Sequence, residues 1–131
     1  MLADSSTIIR SEQIPAGKPL MLVYFSPDCE HCQQETRDIL KNITAFGDTQ
    51  IYFITDDPMD RMNVFEKYYK LVDYPNITVG RDYNFEMIKN YNVSGTPNIF
   101  VFDRYKQRQI TIKGPWAIDS LIDRMKIMKV L

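Results

Sequence analysis

The chain has 131 residues, 44% of them hydrophobic and 12% aromatic, which suffices for one globular domain with its own core and leaves no length for a second. Its formal charge is -1, from 16 Lys and Arg against 17 Asp and Glu that do not cluster. This excludes the electrostatic footprint of a nucleic-acid binder or of a domain lying on an anionic membrane.

The opening segment MLADSSTIIR lacks the basic start and apolar stretch of a signal peptide. The domain is therefore expected either in the cytoplasm or downstream of a targeting segment removed ahead of residue 1. No apolar run approaches the roughly 20 residues that span a bilayer. Residues 20–25, LMLVYF, form a continuous apolar run suited to a strand covered on both faces, as in a parallel sheet. Next comes FSPDCEHCQQE, residues 25–35. From Cys32 to Phe46 the apolar positions Ile39, Leu40, Ile43 and Phe46 recur at helical spacing, and Gly47 is the expected stop. The two cysteines thus straddle a helix start. QIYFIT, residues 50–55, is a second strand. DDPMDRMNVFEKYYK reads as a helix with Asp57 as N-cap and Pro58 in its first turn.

NITV, residues 76–79, is a short strand, and Phe85, Ile88 and Tyr91 give a weak helical stripe. PNIFVFD and RQITIKG, joined by RYKQ, are close enough to pair as an antiparallel hairpin. A closing helix places Ile118, Leu121, Ile122, Met125 and Met128 on one face, taken as core. The order of elements predicts an α/β fold with a central mixed sheet flanked by helices. Trp116, Tyr24 and Tyr91 are either contributors to a substrate face or ordinary packing.

Chemistry is concentrated in the pair Cys29 and Cys32, with His31, the only histidine, between them. Covalent haem attachment needs C-x-x-C-H, and Gln33 follows Cys32. Structural zinc needs about four Cys or His ligands, more than this chain offers, so no metal site is expected. A peroxidatic P-x-x-x-T-x-x-C fails at Leu22 and Ser26. A redox dithiol needs a strand, a C-x-x-C at a helix N-terminus and a surrounding βαβ pattern, and all three are predicted here. At the first helical turn, unpaired N–H groups and the helix dipole favour a thiolate on Cys29. Cys29 is then the attacking and Cys32 the resolving thiol. Two inert buried thiols are the plain alternative.

VYFSPDCEHCQQE, followed by VSGTPNIFVFD about 65 residues on, resembles the thioredoxin fold, and the spacing is similar to that of the TlpA/ResA-like thiol-disulfide oxidoreductases, within the wider thioredoxin-like and AhpC/TSA-related group. The resemblance covers nearly the whole chain, as a single domain over residues 1–131. It implies that residues 58–79 are the helix–strand insertion that such proteins carry. It implies that the Thr96-Pro97 bond is cis and faces the cysteines, leaving the Thr96 backbone to pair with an extended substrate; otherwise Pro97 merely starts a strand. It implies no cofactor, disulfide-containing protein substrates, a redox partner protein, a monomer without membrane contact of its own, and an exported bacterial domain, with the cytoplasm as the alternative.

Asp28 replaces the usual Trp before the first cysteine, and Val23 stands where thioredoxins bury an Asp. Glu35 matches a glutamate of the TlpA-like reductases and is expected to handle the proton of Cys32; otherwise it is a solvated first-turn acid. His31 would favour a Cys29 thiolate, while Asp28 and Glu30 oppose it. The expected activity is disulfide exchange, in the reducing direction more than the oxidising one. A non-catalytic thioredoxin-like interaction domain and a thiol peroxidase are the alternatives.

Overall fold

Strand β1 is Leu20–Tyr24, and all five of its residues are buried, as a strand covered on both faces requires. The computed structural model describes residues 14–82 and 86–131. Four further strands complete one sheet: β2 (Gln50–Thr55), β3 (Ile77–Arg81), β4 (Asn98–Phe102) and β5 (Arg108–Lys113). Their order is β3-β2-β1-β4-β5. The first three run parallel, whereas β4 is antiparallel to β1 and β5 antiparallel to β4, so the sheet is mixed as expected.

The period-2 alternation of β1 divides the core. Met21, Val23 and Phe25 join Ile51, Phe53, Ile99 and Val101 on one face, where α1 (Glu30–Lys41), α2 (Met59–Tyr68) and α4 (Ile118–Ile127) contribute Ile39, Phe65 and Leu121. Leu20, Leu22 and Tyr24 join Tyr52, Ile54, Phe100 and Phe102 on the other. There α3 (Glu86–Asn90) and the residues after it supply Ile88 and Tyr91. Tyr24 and Tyr91 are therefore packing residues. Phe85 lies outside the described residues. Residues 58–79 contribute α2, a 3-10 turn at Leu71–Asp73 and the start of β3, which pairs with β2.

Several expected boundaries move. The helix after the cysteines ends at Lys41, not Phe46. Asn42 caps it, and Ile43–Phe46 continues as a 3-10 turn before Gly47. In α2 the cap is Pro58, with Asp57 one residue too early for that role. Pro58 itself has ψ 151°, outside the helical region, so the first helical residue is Met59. Met128 leaves the core stripe of α4 and is 39% exposed. Lys129 adopts φ 59°, the Val130 N–H donates to the Met125 carbonyl, and Val130 is buried instead. Strand β5 exposes Arg108, Gln109, Thr111 and Lys113 and buries Ile110 and Ile112; a bulge shifts its register opposite Val101 and Phe102.

This division of the core is tested by paired truncations followed by urea denaturation. Phe53→Ala is expected to cost about 3–5 kcal/mol, and Met128→Ala less than about 0.5 kcal/mol. Equal losses would contradict the placement of Met128 outside the core.

Candidate active site

Strand β1 delivers the chain into Ser26-Pro27-Asp28, and α1 begins at Glu30 with Cys29 as its N-cap. Ser, Thr, Asp and Asn are the usual caps because their oxygens accept orphan N–H groups; here a sulfur does so. The Cys32 N–H donates to Cys29 Sγ at 3.1 Å. Both thiols are free; Cys29 is half-buried and Cys32 buried. Burial, then the contact with the Cys29 sulfur, pushes the Cys32 thiol up to about 12. The first cysteine thus meets solvent and the second is held as a thiol behind it.

Across from the helix, the Thr96-Pro97 bond is cis, and Cys29 Sγ donates to the Thr96 carbonyl at 3.7 Å. Among the described residues the Thr96 N–H has no acceptor. Gly95 precedes the pair at φ 73°, a conformation other residues rarely adopt. Asn98, fully buried, holds the turn with its Nδ2, which donates to the carbonyls of Pro97 at 2.8 Å and Gly95 at 3.3 Å. Asn98 escaped the sequence reading, although a polar residue opening an otherwise apolar strand right after Thr-Pro is a legible sign.

Glu35 is not a solvated first-turn acid; it is 3% exposed. Cys32, Glu35, Thr36 and Ile39 form the buried stripe of α1, at spacing i, i+3, i+4 and i+7. That pattern was available in the sequence once Cys32 was counted as apolar. Glu35 Oε1 accepts the Trp116 N–H at 3.1 Å, while Oε2 is buried with no partner. Burial pushes the carboxyl up to about 7, against the lowering effect of the Trp116 N–H. The contact of Trp116 with Glu35 is thus a backbone one, and the residue is 46% exposed.

His31 is exposed on the first turn and makes no hydrogen bond or ion pair among the described residues. Asp28, expected to oppose a thiolate, is ion-paired with Arg61 of α2, which also lies 3.6 Å from Asp57. Gln33 ties down the approach to Cys29, its Nε2 donating to the Pro27 carbonyl at 2.8 Å. Neither Gln33 nor Arg61 was anticipated. Among the described residues no cluster of three or more His, Cys, Asp or Glu is placed to hold a metal ion, and no helix is long and apolar enough to cross a membrane.

Three solved structures share this arrangement of sheet and helices. A secreted disulfide oxidoreductase of Mycobacterium tuberculosis, homologous to E. coli DsbE, is 22% identical, with 86% of this chain and 83% of that one covered at a TM-score of 0.71. StoA of Bacillus subtilis is 17% identical, with 84% of each chain covered at 0.69. The bacterioferritin comigratory protein of Xanthomonas campestris, described for alkyl peroxide reduction, is 11% identical, with 86% and 81% covered at 0.73. No curated protein matches by sequence. The model of the thioredoxin-like domain family matches residues 10–127, from ahead of β1 through the end of α4. With that match spanning both the cysteine pair and the Thr-Pro turn, the chain belongs to the thioredoxin-like domain family.

Proposed function

We propose that this domain is a thiol-disulfide oxidoreductase that reduces disulfides of protein partners. The observation that carries the reading is the placement of the two sulfurs: Cys29 caps α1 and faces Thr96 across a half-open surface, with Cys32 buried behind it. A Cys29 thiolate, favoured by the α1 N-terminus, attacks one sulfur of a substrate disulfide. The substrate S–S bond breaks, one substrate thiolate leaves and takes a proton, and a mixed disulfide forms. Cys32 then gives its proton to Glu35 and attacks Cys29 Sγ, releasing the second substrate thiol. The substrate gains two electrons and two protons, and the protein is left with a Cys29 to Cys32 disulfide. A redox partner protein restores the dithiol, and no cofactor is needed, because the electron pair resides in the thiols.

Proton removal governs the second displacement, since Cys32 is held far above the range in which a thiol ionises at neutral pH. Glu35, buried with one free oxygen, is suited to accept that proton. The unengaged Thr96 N–H beside Pro97 suits strand-like pairing with an extended substrate segment. His31, exposed on the first turn two residues after Cys29, would in its cationic form favour the Cys29 thiolate. The reducing direction is favoured by a Cys32 that stays protonated until a disulfide is engaged. The Mycobacterium tuberculosis neighbour is described as secreted, which supports an extracytoplasmic site of action; the domain acts as a monomer.

Equilibration with glutathione buffers, read by alkylation and mass, is expected to give a potential near or below about -250 mV; a value near -120 mV would reverse the direction proposed. Cys29→Ser should abolish reduction of a protein disulfide and Cys32→Ser should trap the mixed disulfide. Glu35→Gln should slow the second displacement by about 100-fold while leaving alkylation of Cys29 unchanged. If Cys32→Ser turns over normally, the exchange mechanism fails.

Stability provides a separate check on Glu35. Its folded value of about 7 lies above the ordinary 4.5, so its contribution is complete below about pH 4.5 and is lost as pH rises through 7. Urea unfolding of the dithiol form should show wild type losing about 3 kcal/mol relative to Glu35→Gln between pH 4.5 and 8. Parallel pH profiles for the two proteins would mean that Glu35 is ionised at no cost.

A further inference from the structure

A pocket of about 380 Å³ opens between α1 and α2, and its lining reaches the residues on either side of the cysteine pair, Asp28 and Gln33. It starts at Pro27 and Asp28, the two residues before Cys29, and is walled by Arg37 of α1 and by Val64, Tyr68 and Tyr69 from α2 and its end. Its volume is at the small end of ligand sites and suits a few residues of peptide. Val64 is 69% and Tyr68 76% exposed, an apolar pair one helical turn apart whose only ring contact among the described residues is that of Tyr68 edge-on with Tyr69.

Charge decides what this pocket takes. Of its two guanidinium groups, that of Arg61 is already neutralised by Asp28 and Asp57. The guanidinium of Arg37 is held only by neutral partners, donating to Gln34 Oε1 at 2.8 Å and to Tyr69 Oη at 3.5 Å, and it has no carboxylate partner among the described residues. A cation held in place against aromatic walls, with donors to spare, is built for a carboxylate. Arg37 lies eight positions after Cys29, about 12 Å along the axis of α1. An extended segment covers that distance in about four residues.

We propose that this pocket seats the partner protein's chain beyond its reactive cysteine and selects an acidic residue about four positions from that cysteine, with an apolar neighbour against Val64 and Tyr68. The inference rests on the disulfide-exchange reading above and adds the sequence that the site prefers. A protein segment is favoured over a small acidic disulfide because Arg37 stands about 12 Å along α1 from Cys29, farther than a small molecule engaged at the sulfur would reach, and because the same pocket adds the apolar wall of Val64 and Tyr68.

The test uses decapeptides with a single Cys blocked as its 2-pyridyl disulfide and with Glu, Gln or Lys four positions away on either side. Thiopyridone release by the reduced protein at low salt is compared for wild type, Arg37→Gln and Arg37→Glu. Wild type should favour Glu over Lys by about fivefold on one side of the Cys. Arg37→Gln should lose that preference, Arg37→Glu should reverse it, and about 0.5 M salt should erase it in wild type. The same ranking in all three proteins overturns the proposal. So does a charge preference at Arg37 that appears with glutathione disulfide and not with the peptides. Neutral 2,2'-dithiodipyridine separates the two readings: if it yields no Cys29 to Cys32 disulfide, disulfide exchange itself fails, and if that disulfide forms equally in all three proteins, only the charge ranking judges the pocket.

Discussion

One hydrogen bond organises this molecule's chemistry: the Cys32 N–H to Cys29 Sγ, which makes a sulfur the cap of α1. A capping atom must sit over the first turn of its helix, so the Cys29 sulfur is held in one place. The same geometry puts Cys32 one turn inward, where β1 and the packed face of α1 bury it. Everything around the pair serves to keep that cap in register. Gln33 pins the Pro27 carbonyl, Arg61 holds Asp28, and Asn98 fixes the turn that carries Thr96.

Glu35 shows a balance between opposing terms. Its place on the buried stripe of α1 removes it from water, and the one donor it meets, the Trp116 N–H, satisfies only half of the carboxylate. An ordinary core would put an apolar residue there. A carboxyl with one partnered and one free oxygen is held where protonation and ionisation are comparably costly at neutral pH. That is the condition under which a side chain is most useful as a proton acceptor and donor.

Much of the fold was legible because it follows from local periodicity. The apolar run of β1, the match of QIYFIT to β2 and the hairpin of β4 and β5 required only short apolar runs and the spacing between them. The boundaries that moved did so for equally local reasons, a proline ahead of α2 and an asparagine after Lys41. Cys29, Cys32 and the Thr96-Pro97 turn were readable from motif and spacing. What sequence did not reveal are contacts made across long separations. The Trp116 N–H reaches Glu35 from 81 residues away, and Arg61 reaches Asp28 from the far side of β2. The buried stripe of α1 hints at which of two plausible environments Glu35 occupies, but the partner it meets there, the Trp116 N–H just ahead of α4, is visible only in the fold.

The edge strand β5 has a consequence for how such a protein coexists with its substrates. A domain that accepts extended segments of other proteins, as proposed above, would risk accepting them along any open strand. The outward residues of β5 include Arg108 and Lys113, and its bulge breaks the even ladder that a visiting strand would need. That edge is a poor template for self-association or for a partly unfolded client. On the exchange reading proposed above, extended partners are discouraged along β5 while the Thr96 N–H near Cys29 stays open to them.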